Sequence, residues 1–284
     1  MKLVRYGKRG AEKPGMIDDQ GQLRDLSGLI ADIGWNELSN TGREKLRNLR
    51  PASLPRVSGQ PRLGVPFTGI SKFLGIGLNY RDHAEETGMP IPGEPILFMK
   101  ATTCISGPFD PVLLPPGSQK TDWEVELGIV IGNEARRVSE TQSLQHIAGY
   151  CVINDVSERA YQLERGGQWD KGKGCDSFGP IGPWLVTRDE IPDPQNLRLW
   201  LEVNGESMQQ GSTSKMIFGC AEIVSYLSRF VTLLPGDVIA TGTPPGVGMG
   251  RKPPRFLKAG DTMRLGIDGL GEQRQLVTET RSQA

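Results

Sequence analysis

Beyond residue 70 the chain is built of short apolar runs separated by turn-forming residues. Segments 73–77, 96–99, 125–131, 149–153, 200–203, 238–241 and 262–267 each have the length and composition of a strand. Helical periodicity is scarcer, and is clearest over 220–230, where apolar residues recur at three- and four-residue spacing. Nearer the N-terminus, MKLVRYG and the stretch around Gly15, Met16 and Ile17 read as strands. Asp18-Asp19-Gln20-Gly21 then marks a turn, and 28–33 reads as a short amphipathic helix. Four prolines (Pro51, Pro55, Pro61 and Pro66) make 50–66 an extended connector. The pattern divides the chain into a small N-terminal α+β unit with its linker, 1–68, and a larger unit, 69–284. Strands that outnumber helices without alternating with them predict an α+β fold.

Composition narrows the function classes. The chain has 33 basic and 33 acidic residues, a formal net charge of zero. That balance argues against a nucleic-acid groove or an anionic-membrane surface. The 37 glycines and 21 prolines are scattered, as turns in a sheet-rich fold would scatter them. No apolar run approaches the ~20 residues that span a bilayer. The opening MKLVRYGKRG lacks an apolar signal core, so a cytoplasmic protein is expected. Cys104, Cys151, Cys175 and Cys220 lie far apart and read as free thiols.

Candidate chemistry begins at TDWEVELGIVI (121–131). In a strand, residues two apart share a face, so Glu124 and Glu126 project together while Trp123, Val125, Leu127 and Ile129 form the other face. Paired carboxylates repel unless water or a cation lies between them. A solvated edge strand would satisfy that pattern, and so would a hard divalent cation. Asp155, which closes the apolar run 149–153, adds a third acid where burial is costly without a partner. Three carboxylates without clustered cysteine or histidine favour Mg²⁺ or Mn²⁺ over zinc. His83 has Glu86 three residues on, and Asp82 and Glu85 have the spacing of a capping box, which puts His83 in a first helical turn. A carboxylate beside an imidazole suits a general base, although an exposed helix start would look the same. His146 reads as surface. Lys173 reads as a loop lysine between Gly172 and Gly174. Thr241-Gly242-Thr243 is a glycine-bearing turn that could offer N–H and hydroxyl groups to a substrate carboxylate.

Five segments, GLNYRDHAEE (77–86), EVE (124–126), NDVSERAYQ (154–162), KGCDSFGP (173–180) and TGTPPGVG (241–248), come in one order. Together they resemble the signature segments of the fumarylacetoacetate hydrolase family. The resemblance implies a catalytic domain of mixed β-roll or sandwich type and a homodimer. It makes Glu124, Glu126 and Asp155 ligands of Mg²⁺ or Mn²⁺, and His83 with Glu86 the water-activating pair. Lys173 would face metal and substrate, with Arg159, Gln162, Gly242 and Thr243 around the substrate. The implied reaction is hydrolysis of a carbon–carbon bond in a 2,4-diketo acid, giving pyruvate and a carboxylic acid. The opening residues are similar to members acting on 2,4-diketo-3-deoxy-L-rhamnonate or -fuconate, and Arg81, Asp82 and Gln168 could meet such a polar tail. Alternatives are a decarboxylase or isomerase of the same scaffold, a ureidoglycolate lyase, or a metal-binding protein without catalysis.

Overall fold

The computed structural model of the chain describes residues 1–88 and 90–280. Two strands set the frame, Val125–Ile131 and Ile147–Asn154, each buried along its whole length. Neither shows a wet face, because protein covers the pair on both sides. They run antiparallel, with Ile153 opposite Glu126 and Asn154 opposite Val125. Around them the largest sheet is ordered Leu23–Asp25, Lys13–Ile17, Lys2–Tyr6, Gly179–Thr187, Ile147–Asn154, Val125–Ile131, Val238–Ala240, Phe73–Gly77 and Ile96–Lys100. Val238–Ala240 and Phe73–Gly77 are parallel, as only distant segments can be. The three N-terminal strands extend this sheet through Lys2 opposite Val186 and Leu3 opposite Leu185.

A second sheet, ordered Glu206–Ser212, Arg198–Val203, Thr262–Ile267, Gly271–Glu279 and Val112–Leu114, packs on the central pair. Leu201, Val203, Met263 and Leu265 share one core with Leu127, Ile129 and Val152. Strands with few helices give the α+β class expected. Cys104, Cys151 and Cys220 are buried free thiols, and Cys175 is a half-buried one.

Two local expectations need correction. Segment 28–33 is a single turn, not a helix: the N–H groups of Leu29 and Ile30 both reach the Leu26 carbonyl. The turn stops because Asp32 is taken by the Arg5 guanidinium, at 2.7 and 3.0 Å, and by the Ile33 N–H. The helices lie further on, at Trp35–Leu38 and Asn40–Arg47, the second capped by the Ser39 hydroxyl. The helix read over 220–230 closes earlier, at Leu227.

Three fully buried glutamines stitch the two sheets. Gln273 Nε2 donates to the Val152 and Gly182 carbonyls, at 2.7 and 3.1 Å. Gln275 Nε2 donates to Gln273 Oε1 and the Pro108 carbonyl. Gln209 Oε1 accepts the Val125 N–H at 3.0 Å, while its Nε2 donates to Thr243 Oγ1 and the Pro244 carbonyl, both at 2.8 Å. Each amide serves backbone groups that a strand ladder would otherwise satisfy. Replacing Gln209 with leucine leaves those partners buried and unpaired, so urea unfolding should show a loss of about 2 kcal/mol or more.

Candidate active site

The register of the central strands assembles the acids. With Ile153 opposite Glu126 and Asn154 opposite Val125, one more residue brings Asp155 beside Glu124. Glu124 itself stands just outside the strand. Its N–H goes to the Asn154 side chain at 3.2 Å, and its carbonyl accepts the Asp155 N–H at 2.9 Å. An oxygen from each of Glu124, Glu126 and Asp155 lies within 4.8 Å of the others. All three side chains are buried, which disposes of the solvated edge-strand alternative.

Cations converge on the same point. Lys173 Nζ lies 2.5 Å from Glu124 Oε2 and 2.7 Å from Asp155 Oδ2. Lys100, also buried, bonds Asp155 Oδ1 and the Val156 carbonyl. Arg159 spans two acids, with Nε 2.9 Å from Asp122 and Nη2 2.7 Å from Glu124, and its Nη1 donates to Gln162 at 3.0 Å. Lys173 is not a loop residue. It ends the helical turn Asp170–Lys173, and Gly172 lets that turn approach within 2.4 Å of the Glu158 carbonyl, measured from where a Cβ would stand.

Four buried carboxylates (Asp122, Glu124, Glu126 and Asp155) thus face three buried cations. Burial opposes the charge on Glu124, but Lys173 and Arg159 outweigh it and hold its carboxyl down to about 2. Burial likewise works against Lys173, and Asp155 and Glu124 keep its ammonium above the ordinary lysine range. Glu126 is the acid left over. Burial, then the charges of Asp155 and Glu124, push its carboxyl well above the usual range. A hard divalent cation would relieve that excess, and three oxygen donors without sulfur or imidazole fit one.

His83 lies in the first turn of the helix Arg81–Thr87. The helix is capped at Tyr80, so Asp82 sits inside it and not at its cap. His83 is buried with Nδ1 3.1 Å from Glu86 Oε2, and Glu86 accepts the Gly246 N–H at 3.0 Å. His146 is half-buried at the other end of the sheet's central strand, at the start of Ile147–Asn154.

His83, Glu124, Glu126, Asp155 and Lys173 line one cavity of about 160 Å³. Arg159, Gln162, Gly242 and Thr243 line it too, and Glu86 stands behind His83. Several donors of the Thr241–Thr243 turn are in use within the protein. Gly242 N–H goes to Glu126 Oε2 at 2.7 Å, and the Thr241 and Thr243 hydroxyls go to the carbonyls of Leu127 and Val125. Through the Gly242 N–H that turn holds a carboxylate of the protein. Gly242 has φ +98°, and a Cβ there would stand 2.7 Å from Asn79. Arg81, Asp82 and Gln168 are not among the lining residues. Lys100 and Asp122 escaped the sequence reading, since each shows only a charged residue at the end of a short strand.

Residues 72–278 match the family described as fumarylacetoacetate (FAA) hydrolase C-terminal. The chain belongs to the fumarylacetoacetate hydrolase family. A protein of Burkholderia ambifaria is 61% identical over 282 residues, covering 99% of this chain and 100% of that one, and its name goes no further than hydrolase. Fumarylacetoacetate hydrolase from Exiguobacterium antarcticum has TM-score 0.86 at 35% identity, over 99% of this chain and 100% of that one. 5-Carboxymethyl-2-hydroxymuconate delta-isomerase from Mycobacterium smegmatis has TM-score 0.77 at 32% identity, with the same coverage. Maleylpyruvate hydrolase from Sphingobium sp. SYK-6, solved with manganese(II) and pyruvate, has TM-score 0.81 at 28% identity, again over 99% and 100%. The family scaffold therefore carries hydrolases and isomerases. No helix among the described residues is long and apolar enough to cross a membrane.

In this family member the two glutamates titrate in opposite senses without metal. Glu124, held low, adds stability above the ordinary carboxylate pKa that fades as pH falls toward 2. Glu126, held high, adds stability below the ordinary carboxylate pKa that is lost as pH rises through its raised value. Chelator-treated protein should therefore melt at lower temperature as pH is raised above the carboxylate range, and Glu126→Gln should flatten that decline in a thermal scan.

Proposed function

We propose that the protein is a divalent-metal-dependent hydrolase that cleaves the C3–C4 bond of a 2,4-diketo acid of acylpyruvate type, giving pyruvate and a carboxylic acid. The observation that carries this reading is buried His83, paired with Glu86 beside the carboxylate cluster, with Glu86 itself anchored by the Gly246 N–H. Glu124, Glu126 and Asp155 would hold Mg²⁺ or Mn²⁺. When bound, such an ion supplies Lewis acidity toward the 2-oxo acid end of the substrate.

The chain's own groups account for the rest. Glu86 orients the His83 ring through Nδ1, and His83 takes a proton from water. The resulting hydroxide forms a new bond to C4, the C3–C4 pair passes to the pyruvate enolate, and the proton lost by water is returned at C3. Lys173, held by Glu124 and Asp155, stabilises developing negative charge. Arg159, held by Asp122 and Glu124, presents a fixed cation to the substrate carboxylate. Gln162 is oriented by Arg159, and Thr243 by Gln209.

A diketo-acid isomerase or decarboxylase on the same scaffold would keep the acids but leave the histidine–glutamate pair without a task. The acyl half expected from the opening residues is a 2,4-diketo-3-deoxy-L-rhamnonate or -fuconate tail. The polar residues expected to meet it are not among those lining the cavity. The resemblance also supports a homodimer, which sedimentation equilibrium would read as twice the 31.0 kDa chain mass.

Pyruvate release, coupled to lactate dehydrogenase, should require Mg²⁺ or Mn²⁺ and stop with EDTA. His83→Ala should lower kcat by about 10²- to 10⁴-fold with little change in metal affinity. Metal-loaded protein that releases no pyruvate from acylpyruvates or from diketo sugar acids would overturn the hydrolase reading in favour of isomerisation or decarboxylation.

A further inference from the structure

Apart from its charged cluster, the cavity is lined by Ile76, Leu78, Phe98, Leu163, Trp169 and Met249. The uncharged polar side chains Gln162 and Thr243 are partly engaged within the protein. Gln162 Oε1 accepts from Arg159, and the Thr243 hydroxyl both donates to the Val125 carbonyl and accepts from Gln209. A tail bearing hydroxyl groups would leave water for a wall with few partners, which is costly.

The wall is built into the sheet. Gly75 and Gly77 share a face of the strand Phe73–Gly77. A Cβ on Gly75 would stand 2.2 Å from the Phe98 ring, and one on Gly77 would stand 2.3 Å from the Trp169 ring. The missing side chains are the space in which the two rings sit, edge to face with centroids 5.8 Å apart. Lys173 Nζ lies 5.1 Å from the Phe98 centroid, so the charged end and the aromatic wall meet at one residue. Leu78 closes the lining with φ +52°, a backbone that branched and bulky residues rarely adopt. Trp169 is only half-buried and Leu163 is 44% exposed, so this end of the apolar surface borders the opening, while Ile76 belongs to the core.

We propose that Trp169 and Phe98 form an apolar subsite for the acyl half, so that the substrate is an acylpyruvate with an unhydroxylated acyl group. Trp169 sets the size of that group. The inference rests on the diketo-acid reading of the same site. A pyruvate end would lie toward Lys173 and the carboxylates, and the acyl chain would lie along the two rings.

The test compares acetylpyruvate, benzoylpyruvate and 2,4-diketo-3-deoxy-L-rhamnonate by pyruvate release, in wild type, Trp169→Ala and the conservative Trp169→Phe. Wild type should favour an unhydroxylated acylpyruvate over the sugar acid by at least about tenfold in kcat/KM. Trp169→Ala should raise the ratio of benzoylpyruvate to acetylpyruvate by about tenfold, and Trp169→Phe should fall between. Loss of folding would not shift that ratio. A sugar acid preferred by wild type, or an unmoved ratio in both variants, overturns the subsite while leaving the hydrolase reading intact. Calorimetric titration of Mn²⁺-loaded protein with 2-oxo acids of growing alkyl tail reads the same wall without turnover. Affinity should rise roughly fourfold per buried methylene in wild type, and less in Trp169→Ala. That gain with no pyruvate release from any substrate would sink the hydrolase reading and keep the apolar subsite, whereas a flat series would sink the subsite.

Discussion

The structure depends on holding four buried carboxylates against three buried cations at one end of its central strands. Removing a single ionised carboxylate from water is costly, and the cost is recovered only by close partners with good geometry. Here the partners come from far apart in the chain. Lys100 ends one strand, Arg159 starts a short helix after another, and Lys173 closes a helical turn. Their convergence fixes the register of Val125–Ile131 against Ile147–Asn154, since a slip of one residue would turn Glu126 to the other face. The chemistry and the fold are therefore constrained by the same contacts.

The cluster is also unbalanced by one charge, and the imbalance falls on Glu126. It receives a backbone N–H from Gly242 and no side-chain cation, whereas Glu124 has two and Asp155 has two. An acidic cluster made this way keeps one negative charge in excess, which a cation would relieve. The glycine turn at 241–243 supports that arrangement by holding Glu126 in place.

How far the sequence could be read follows from how local each signal is. Glu124, Glu126 and Asp155 were legible because a period of two and an acid ending an apolar run are visible within a few residues. The His83–Glu86 pair was legible for the same reason. Lys100 and Asp122 were not, because a charged residue at a strand end looks solvated until its partner, 55 residues away for Lys100 and 37 for Asp122, is known. At the Thr241–Thr243 turn the donors were visible, but the protein carboxylate and carbonyls that accept from them lie more than 110 residues away. The short helix expected at 28–33 failed because Arg5, at the other end of the N-terminal unit, captures Asp32.

The glutamines that join the sheets have a further consequence. Amide side chains do not change charge with pH, so the joint between the sheets is indifferent to protonation. The joint therefore holds Val125, between Glu124 and Glu126, by a contact that protonation does not alter.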